Sequence, residues 1–339
     1  MSAARTRNLG SVTRATAEYL RAAMTGAAPA LPTSRGRYLW TVCGALRPHF
    51  FFLPGGAALV GAAAVGGEVR REVWGVAVAA ALGWGVGQLV NDLLDVDADR
   101  VDAPGRPAPR GLLPEGPTLL LALGLGLVVL AVTVLSAPRG VWLVPAAVGL
   151  LLCYNVAKGW PLVGNVAHGA LIAVAALLGA LAQSGAGIGG ALEHSAGALA
   201  YAGVVAATYL QANYEKDMTG DGRAGYRTLA HVLGPRASAG LRLISSGVLC
   251  LVALAAPWLQ APLARGLALG GALAVALSAL GVVRLGRPTA AFRGYGLAVC
   301  GAAAMMLAPA LGWLGPSFGG VVAVVLVLVV RAFARESNP

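Results

Sequence analysis

The chain has 339 residues, of which 58% are hydrophobic and 12% charged, with a mean hydropathy of +0.74 and a formal net charge of +11. A soluble domain of this size is excluded by so apolar and so sparsely charged a composition, which belongs to a polytopic membrane protein. The positive charge calls for no nucleic acid, because a basic skirt facing anionic lipid accounts for it.

Residues 1–46 are rich in Arg, Ala, Ser and Thr and contain one acid, Glu18, but no apolar core of the kind a cleaved signal needs. They are expected to form a cytoplasmic extension, partly disordered, with a short helix on the membrane surface as an option. Ten apolar segments follow: 50–66, 72–94, 117–136, 140–157, 162–183, 196–214, 236–256, 262–284, 294–313 and 318–334. Each approaches the roughly 20 residues that an α-helix needs to cross the hydrocarbon core. Only Gly312 to Ser317 separates the last two, so either two spans or one broken element fits, and the expected fold is an all-α bundle of nine or ten transmembrane helices.

Basic residues set the orientation. With both ends in the cytoplasm, 21 of the 25 Lys and Arg lie on the inner side, and only Arg70, Arg71, Arg139 and Arg265 lie outside. The expected location is therefore a plasma membrane, bacterial on this reading, with the inner ends of the even-numbered spans facing the cytoplasm. Cys43, Cys153, Cys250 and Cys300, like the four histidines, are too scattered for a disulfide framework or a histidine-ligated metal.

All seven aspartates fall in two short segments, NDLLDVDADRVD at 91–102 and KDMTGD at 216–221. Carboxylates beside lipid are costly unless paired, hydrated or metal-bound, so the clustering marks a site. The segments also repeat one another: Asn91, Asp95 and Asp99 share their spacing with Asn213, Asp217 and Asp221. Positions i, i+4 and i+8 lie along one helical face, and Asp92 joins the first of these faces.

Oxygen ligands of this kind select a hard cation, and magnesium takes the rest of its shell from water and substrate phosphates. Arg100, Arg106 and Arg110 follow the first segment; Lys216, Arg223 and Arg227 surround the second; Arg47 and Lys158 end neighbouring spans on the same side. Acid for a metal beside base for an anion describes a magnesium-diphosphate site. A carboxylate cluster alone could equally carry protons or sodium.

At these residues the chain resembles the UbiA superfamily of intramembrane prenyltransferases, from Arg47 to about Gly234. NDLLDVDADRVDAPGRPAPRG at 91–111 is similar to the family's NDxxDxxxD and its following RPxPxG loop. YEKDMTGDGRAGYRTLAHVLG at 214–234 is similar to the second DxxxD with its Gly, Thr-Leu, Gly continuation, though Gly222 stands where an Arg is common and Arg223 comes one position later. Tyr154 to Lys158 resembles the YxxxK of the fourth span, and Arg47-Pro48 opens the first.

The resemblance implies two quasi-repeats around a central cavity, open sideways to lipid. It implies that Asn91, Asp92, Asp95, Asp99, Asn213, Asp217 and Asp221 hold Mg2+ and the diphosphate of an isoprenyl substrate, while Lys158, Tyr154 and Arg106 contact or cover that diphosphate. Breaking an allylic C–O bond leaves a cation that aromatic faces stabilise. Trp84, Gln88 and Asn91 form one helical stripe, and Tyr209, Asn213 and Asp217 another, so Trp84 and Tyr209 are expected to flank the reacting carbon.

Transfer to a small acceptor, apolar, aromatic or quinone-like, is the expected outcome. Cyclisation of the prenyl chain without an acceptor is the alternative, and a transporter the remote one. Few ionisable groups are expected deep in the spans, which favours an apolar acceptor or none.

Overall fold

A backbone inside lipid has no water to bond to and must satisfy its polar groups internally, which an α-helix does. The computed structural model describes residues 9–25, 31, 33–157 and 160–336, and among these there is no strand. The helices are α1 (Leu9–Met24), α2 (Arg35–Ala45), α3 (Phe52–Val65), α4 (Arg71–Leu94), α5 (Val96–Asp102), α6 (Glu115–Ser136) and α7 (Leu143–Ala157). They continue with α8 (Val163–Ser184), α9 (Ile188–Ala224), α10 (Leu229–Ala255), α11 (Pro262–Leu285), α12 (Pro288–Leu314) and α13 (Gly319–Glu336).

Each of the ten apolar segments lies largely in one helix. The last two are separate helices, divided by a 3-10 turn at Pro316–Phe318. Among the described residues six helices, α4, α6, α8, α10, α11 and α12, are each long and apolar enough to cross a membrane, seven if α2 and α3 with the turn between them count as one span; α7 and α13 are shorter apolar helices. The protein is a multi-pass integral membrane protein.

Two helices depart from the simple pattern. α9 runs for 37 residues and carries the second aspartate segment well past the apolar stretch, until Gly225 closes it at φ +83°, a left-handed conformation that glycine adopts freely. α10 is broken at Gly234, where φ is +74° ahead of Pro235, so its apolar part starts close to residue 236.

The chain divides into two compact units, Met1–Phe51 with Ala81–Ala131, and Phe52–Ala80 with Val132–Pro339. In the first, Tyr38, Val42 and Ala45 of α2 are buried with Leu89, Val96, Ala108, Leu113 and Ala122, and the Tyr38 hydroxyl lies 3.2 Å from that of Thr118. Helix α1 places Val12 against Leu93 and Leu119. Residues 9–24 and 35–45 thus pack on the segment that bears the first aspartates.

In the second unit α3, α8 and α12 are the most enclosed helices. Without a hydrophobic drive between helices in lipid, small residues permit the close contact that dispersion requires. A Cβ on Gly271 of α11 would fall 2.6 Å from the Gly301 carbonyl oxygen of α12, and a Cβ on Gly61 or Gly179 would strike the Ala176 or Ala58 backbone where α3 crosses α8. Gly179→Val is therefore expected to cost about 3 kcal/mol, the upper range for overpacking, seen as a lower thermal midpoint in detergent; an unchanged midpoint would refute this crossing.

Candidate active site

The first aspartate segment is not one straight ridge. α4 ends at Leu94, Asp95 sits at the break with φ −91° and ψ 4°, and α5 begins at Val96. The hydrogen bonds Asp95 N–H to Asn91 O (2.9 Å) and Asp99 N–H to Asp95 O (2.8 Å) carry the helical spacing across the bend. Asp92, Asp95 and Asp99 are all buried, at 3%, 8% and 6% exposure.

Buried carboxylates need counter-charge or hydrogen bonds, and two arginines provide it. Arg47 Nη2 donates to Asp92 Oδ1 at 2.6 Å, and Arg106 Nη1 reaches both oxygens of Asp99 at 2.7 and 2.9 Å. Arg106 belongs to the loop after α5, where Arg106 N–H bonds Ala103 O and Gly111 turns the chain at φ +71°. Arg100 pairs with Asp97 at 2.6 Å on the exposed side of α5. Trp84 and Gln88 lie upstream on α4, half-buried.

The second segment is continuous helix. Asn213 Nδ2 donates to Asp217 Oδ2 at 3.1 Å, and Lys216 Nζ lies 3.1 Å from Asp217 Oδ1. Asp221 lies one turn on, and Arg223 is exposed. The turn into α10 is closed by His231: Nε2 donates to Met218 O at 2.7 Å, which leaves Nδ1 to accept from the Thr228 hydroxyl at 2.9 Å.

Tyr295 of α12 completes this cluster, and the sequence pattern does not single it out. Its hydroxyl donates to Asn213 Oδ1 at 2.8 Å and lies 3.3 Å from the Tyr209 hydroxyl, while Lys216 Nζ stands 4.6 Å above its ring. Asn213 is thus a strut, oxygen to Tyr295 and amide N–H to Asp217. Rings continue from Tyr295 to Tyr209 (6.5 Å between centroids), His168 (6.2 Å) and Tyr154 (5.6 Å). Tyr295→Phe is expected to reduce turnover about tenfold with a stability loss of about 1 kcal/mol, the worth of one hydrogen bond; kinetics over a metal titration check it, and wild-type turnover would exclude the strut.

Next to the cluster lies a buried ion pair. Arg242 Nη2 meets Glu215 Oε2 at 2.7 Å, with exposures of 2% and 0%. Ser238 Oγ donates to Glu215 Oε1 (2.8 Å), Gln211 Nε2 to Ser238 Oγ (2.6 Å), Asn165 Nδ2 to Gln211 Oε1 (3.0 Å), and Arg242 Nη1 to Ser278 Oγ (2.5 Å). Arg242, counted on the inner basic skirt, is instead enclosed within α10 as one of the few interior ionisable groups, and the network around its pair with Glu215 joins α8, α9, α10 and α11. Their polar partners are spread over four helices, which no local spacing reveals.

Among the described residues, no three His, Cys, Asp or Glu side chains stand together as a metal cage. Lys158 lies outside the described residues; Tyr154 is half-buried on α7. Within the first unit Arg47, Asp92, Asp99 and Arg106 are brought into contact, and within the second Tyr209, Asn213, Lys216 and Asp217.

A search of curated proteins finds a digeranylgeranylglyceryl phosphate synthase of the archaeon Natronomonas pharaonis, 30% identical over 214 residues, or 62% of this chain and 74% of that protein. Among solved structures, a UbiA homologue from Aeropyrum pernix superposes with a TM-score of 0.66 at 19% identity, covering 79% of this chain and 98% of that one. A homologue from Archaeoglobus fulgidus, bound to GPP and Mg2+, gives 0.54 at 15% identity over 87% and 99%. These likenesses establish the fold. The family model described as the UbiA prenyltransferase family matches residues 50–295, and on that match, with the two aspartate segments inside it, this chain belongs to the UbiA prenyltransferase family.

Proposed function

We propose that the protein ionises an isoprenyl diphosphate with Mg2+ and transfers the prenyl group to an acceptor. The observation that carries this reading is the pair of like-spaced amide-carboxylate segments, each set among cationic side chains. Their donor set fits the metal: carboxylate and amide oxygens are what a hard cation takes, and magnesium fills the rest of its shell from water and substrate phosphates.

When bound, Mg2+ would neutralise diphosphate charge as the C–O bond breaks. Asp92, Asp95, Asp99, Asp217 and Asp221, with Asn91 and Asn213, would hold it. Arg47, Arg106, Lys158, Lys216, Arg223 and Tyr154 would bind the diphosphate oxygens, and cationic donors there stabilise the leaving group. Trp84, Gln88 and Tyr209 would line the path of the prenyl chain, where aromatic faces favour the allylic cation.

The relatives' name points to a glyceryl phosphate product rather than a quinone or an aromatic acid, so an acceptor of the glyceryl phosphate class is the one favoured. A cytoplasmic face for the aspartate ends is the reading that the Lys and Arg of the adjoining loops favour. The relatives named are archaeal, which gives the expected bacterial membrane no support. Incubating purified protein, Mg2+ and prenyl diphosphates from C10 to C25 without acceptor should release almost no diphosphate; adding a glyceryl phosphate ether should start turnover. A hydrocarbon product without acceptor would instead make the protein a cyclase.

A further inference from the structure

The first aspartate segment carries two ion pairs that differ from an ordinary surface pair in one respect. In both, the carboxylate is enclosed and the arginine side chain only partly so: side-chain exposure is 4% for Asp92 against 24% for Arg47, and 9% for Asp99 against 41% for Arg106. Asp97 and Arg100, by contrast, are open on both sides, at 35% and 56%. The enclosed acids are fixed in place, whereas each arginine side chain keeps part of its surface open.

Arg47 is also held in an uncommon backbone conformation. Its φ of +52° and ψ of +58° are left-handed, which a residue with a Cβ adopts only under constraint. Its N–H bonds Gly44 O and its carbonyl accepts from Phe50 N–H, so the chain is pinned on both sides. The turn between α2 and α3 thereby directs the side chain at Asp92.

A guanidinium on a carboxylate both covers an oxygen and repels a divalent cation. It is equally suited to phosphate, which it meets with the same paired N–H geometry. We propose that Arg47 and Arg106 are exchangeable counter-ions: in the empty site they neutralise Asp92 and Asp99, and they move to the diphosphate when metal takes those carboxylates. The inference rests on the site reading above and adds to it an order of events. Metal alone binds poorly, because it must leave two cations unpaired in a partly buried place; metal with diphosphate binds well, because each arginine gains a new partner as it loses the old.

The test uses the full chain in detergent, with Mn2+ as a spectroscopic substitute whose free and bound forms electron paramagnetic resonance separates. Binding is measured for metal alone and with a prenyl thiolodiphosphate, in which sulfur replaces the ester oxygen between the allylic carbon and phosphorus, so that ionisation is strongly slowed. Arg47→Gln and Arg106→Gln should each tighten binding of metal alone by about tenfold, within the usual range of coupling between two ligands, and weaken binding of the analogue. Arg100→Gln should change neither. Equal affinity for metal alone in wild type and in the two variants would overturn the exchange, as would an equal gain in Arg100→Gln. Should Arg47→Gln fail to fold, Arg106→Gln decides by itself, since Arg106 lies on another loop and meets a different carboxylate, Asp99. No Mn2+ bound even with the analogue would fail the site reading as a whole, a result distinct from binding that ignores the arginines.

Discussion

Alanine at Asp217 is expected to lower Mg2+-dependent diphosphate release by about 100- to 1,000-fold, the loss typical of removing one group that stabilises transition-state charge. Asp217 is well suited to the experiment. It lies inside the unbroken helix α9, so losing its side chain does not move the backbone, and 40% of that side chain is exposed, so no core cavity opens. What disappears is a carboxylate that accepts from Asn213 and balances Lys216 at 3.1 Å. Asp217→Asn keeps the shape and removes the charge. If charge is what counts, it should be nearly as inactive as Asp217→Ala; turnover at the wild-type rate in either would remove Asp217 from the site.

Glu215→Ala is expected to destabilise the protein by about 3–5 kcal/mol, because Arg242 would remain buried without its anion. The size follows from completeness: both partners are enclosed, and the carboxylate accepts from Ser238 as well as from Arg242. Replacing the pair together, Glu215→Leu with Arg242→Met, should recover most of that loss, since two apolar side chains leave no unpaired charge. Thermal unfolding in detergent reads both. A loss under about 1 kcal/mol for Glu215→Ala would mean that water reaches Arg242, and the four-helix network would not hold as described.

The pair also bears on activity. Glu215 sits between Asn213 and Asp217 on α9, and the helix cannot rotate about its axis without breaking the contacts to Ser238 and Arg242. Tyr295 grips the same turn from α12 through Asn213. The second aspartate segment is thus held on two sides, a rigid mounting of the kind that precise ligand placement requires.

Much of the architecture was legible from composition alone. A backbone in lipid has to be helical, and length with hydropathy then locates the helices; the break before residue 236 and the division near residue 315 both fall at Gly-Pro pairs, Gly234-Pro235 and Gly315-Pro316. The aspartates stood out because acids beside lipid are rare, and their repeated spacing is a local property of a helix. The resemblance singled out Arg106 for the diphosphate, but its contact with Asp99, seven residues earlier, was not read from the spacing.

Other features lie beyond any local pattern. Tyr295 is 82 residues from Asn213, and Arg242 is 27 from Glu215. An apolar helix gives no sign of which face will meet which neighbour, so a tyrosine or an arginine on it reads as interfacial or topological until the packing is known. The bend at Asp95 is a further instance, for NDLLDVDAD has the spacing of an unbroken helix.

The amino-acid sequence by itself determined that this chain crosses the membrane repeatedly and where its acids concentrate, because hydropathy and charge act through solvent and need no partner. Only the tertiary structure decided which distant cation meets which carboxylate, because such contacts join segments that lie far apart in the chain. Arg47 on Asp92, Arg242 on Glu215 and Tyr295 on Asn213 are products of packing, fixed where enclosed polar groups find partners that water would otherwise supply.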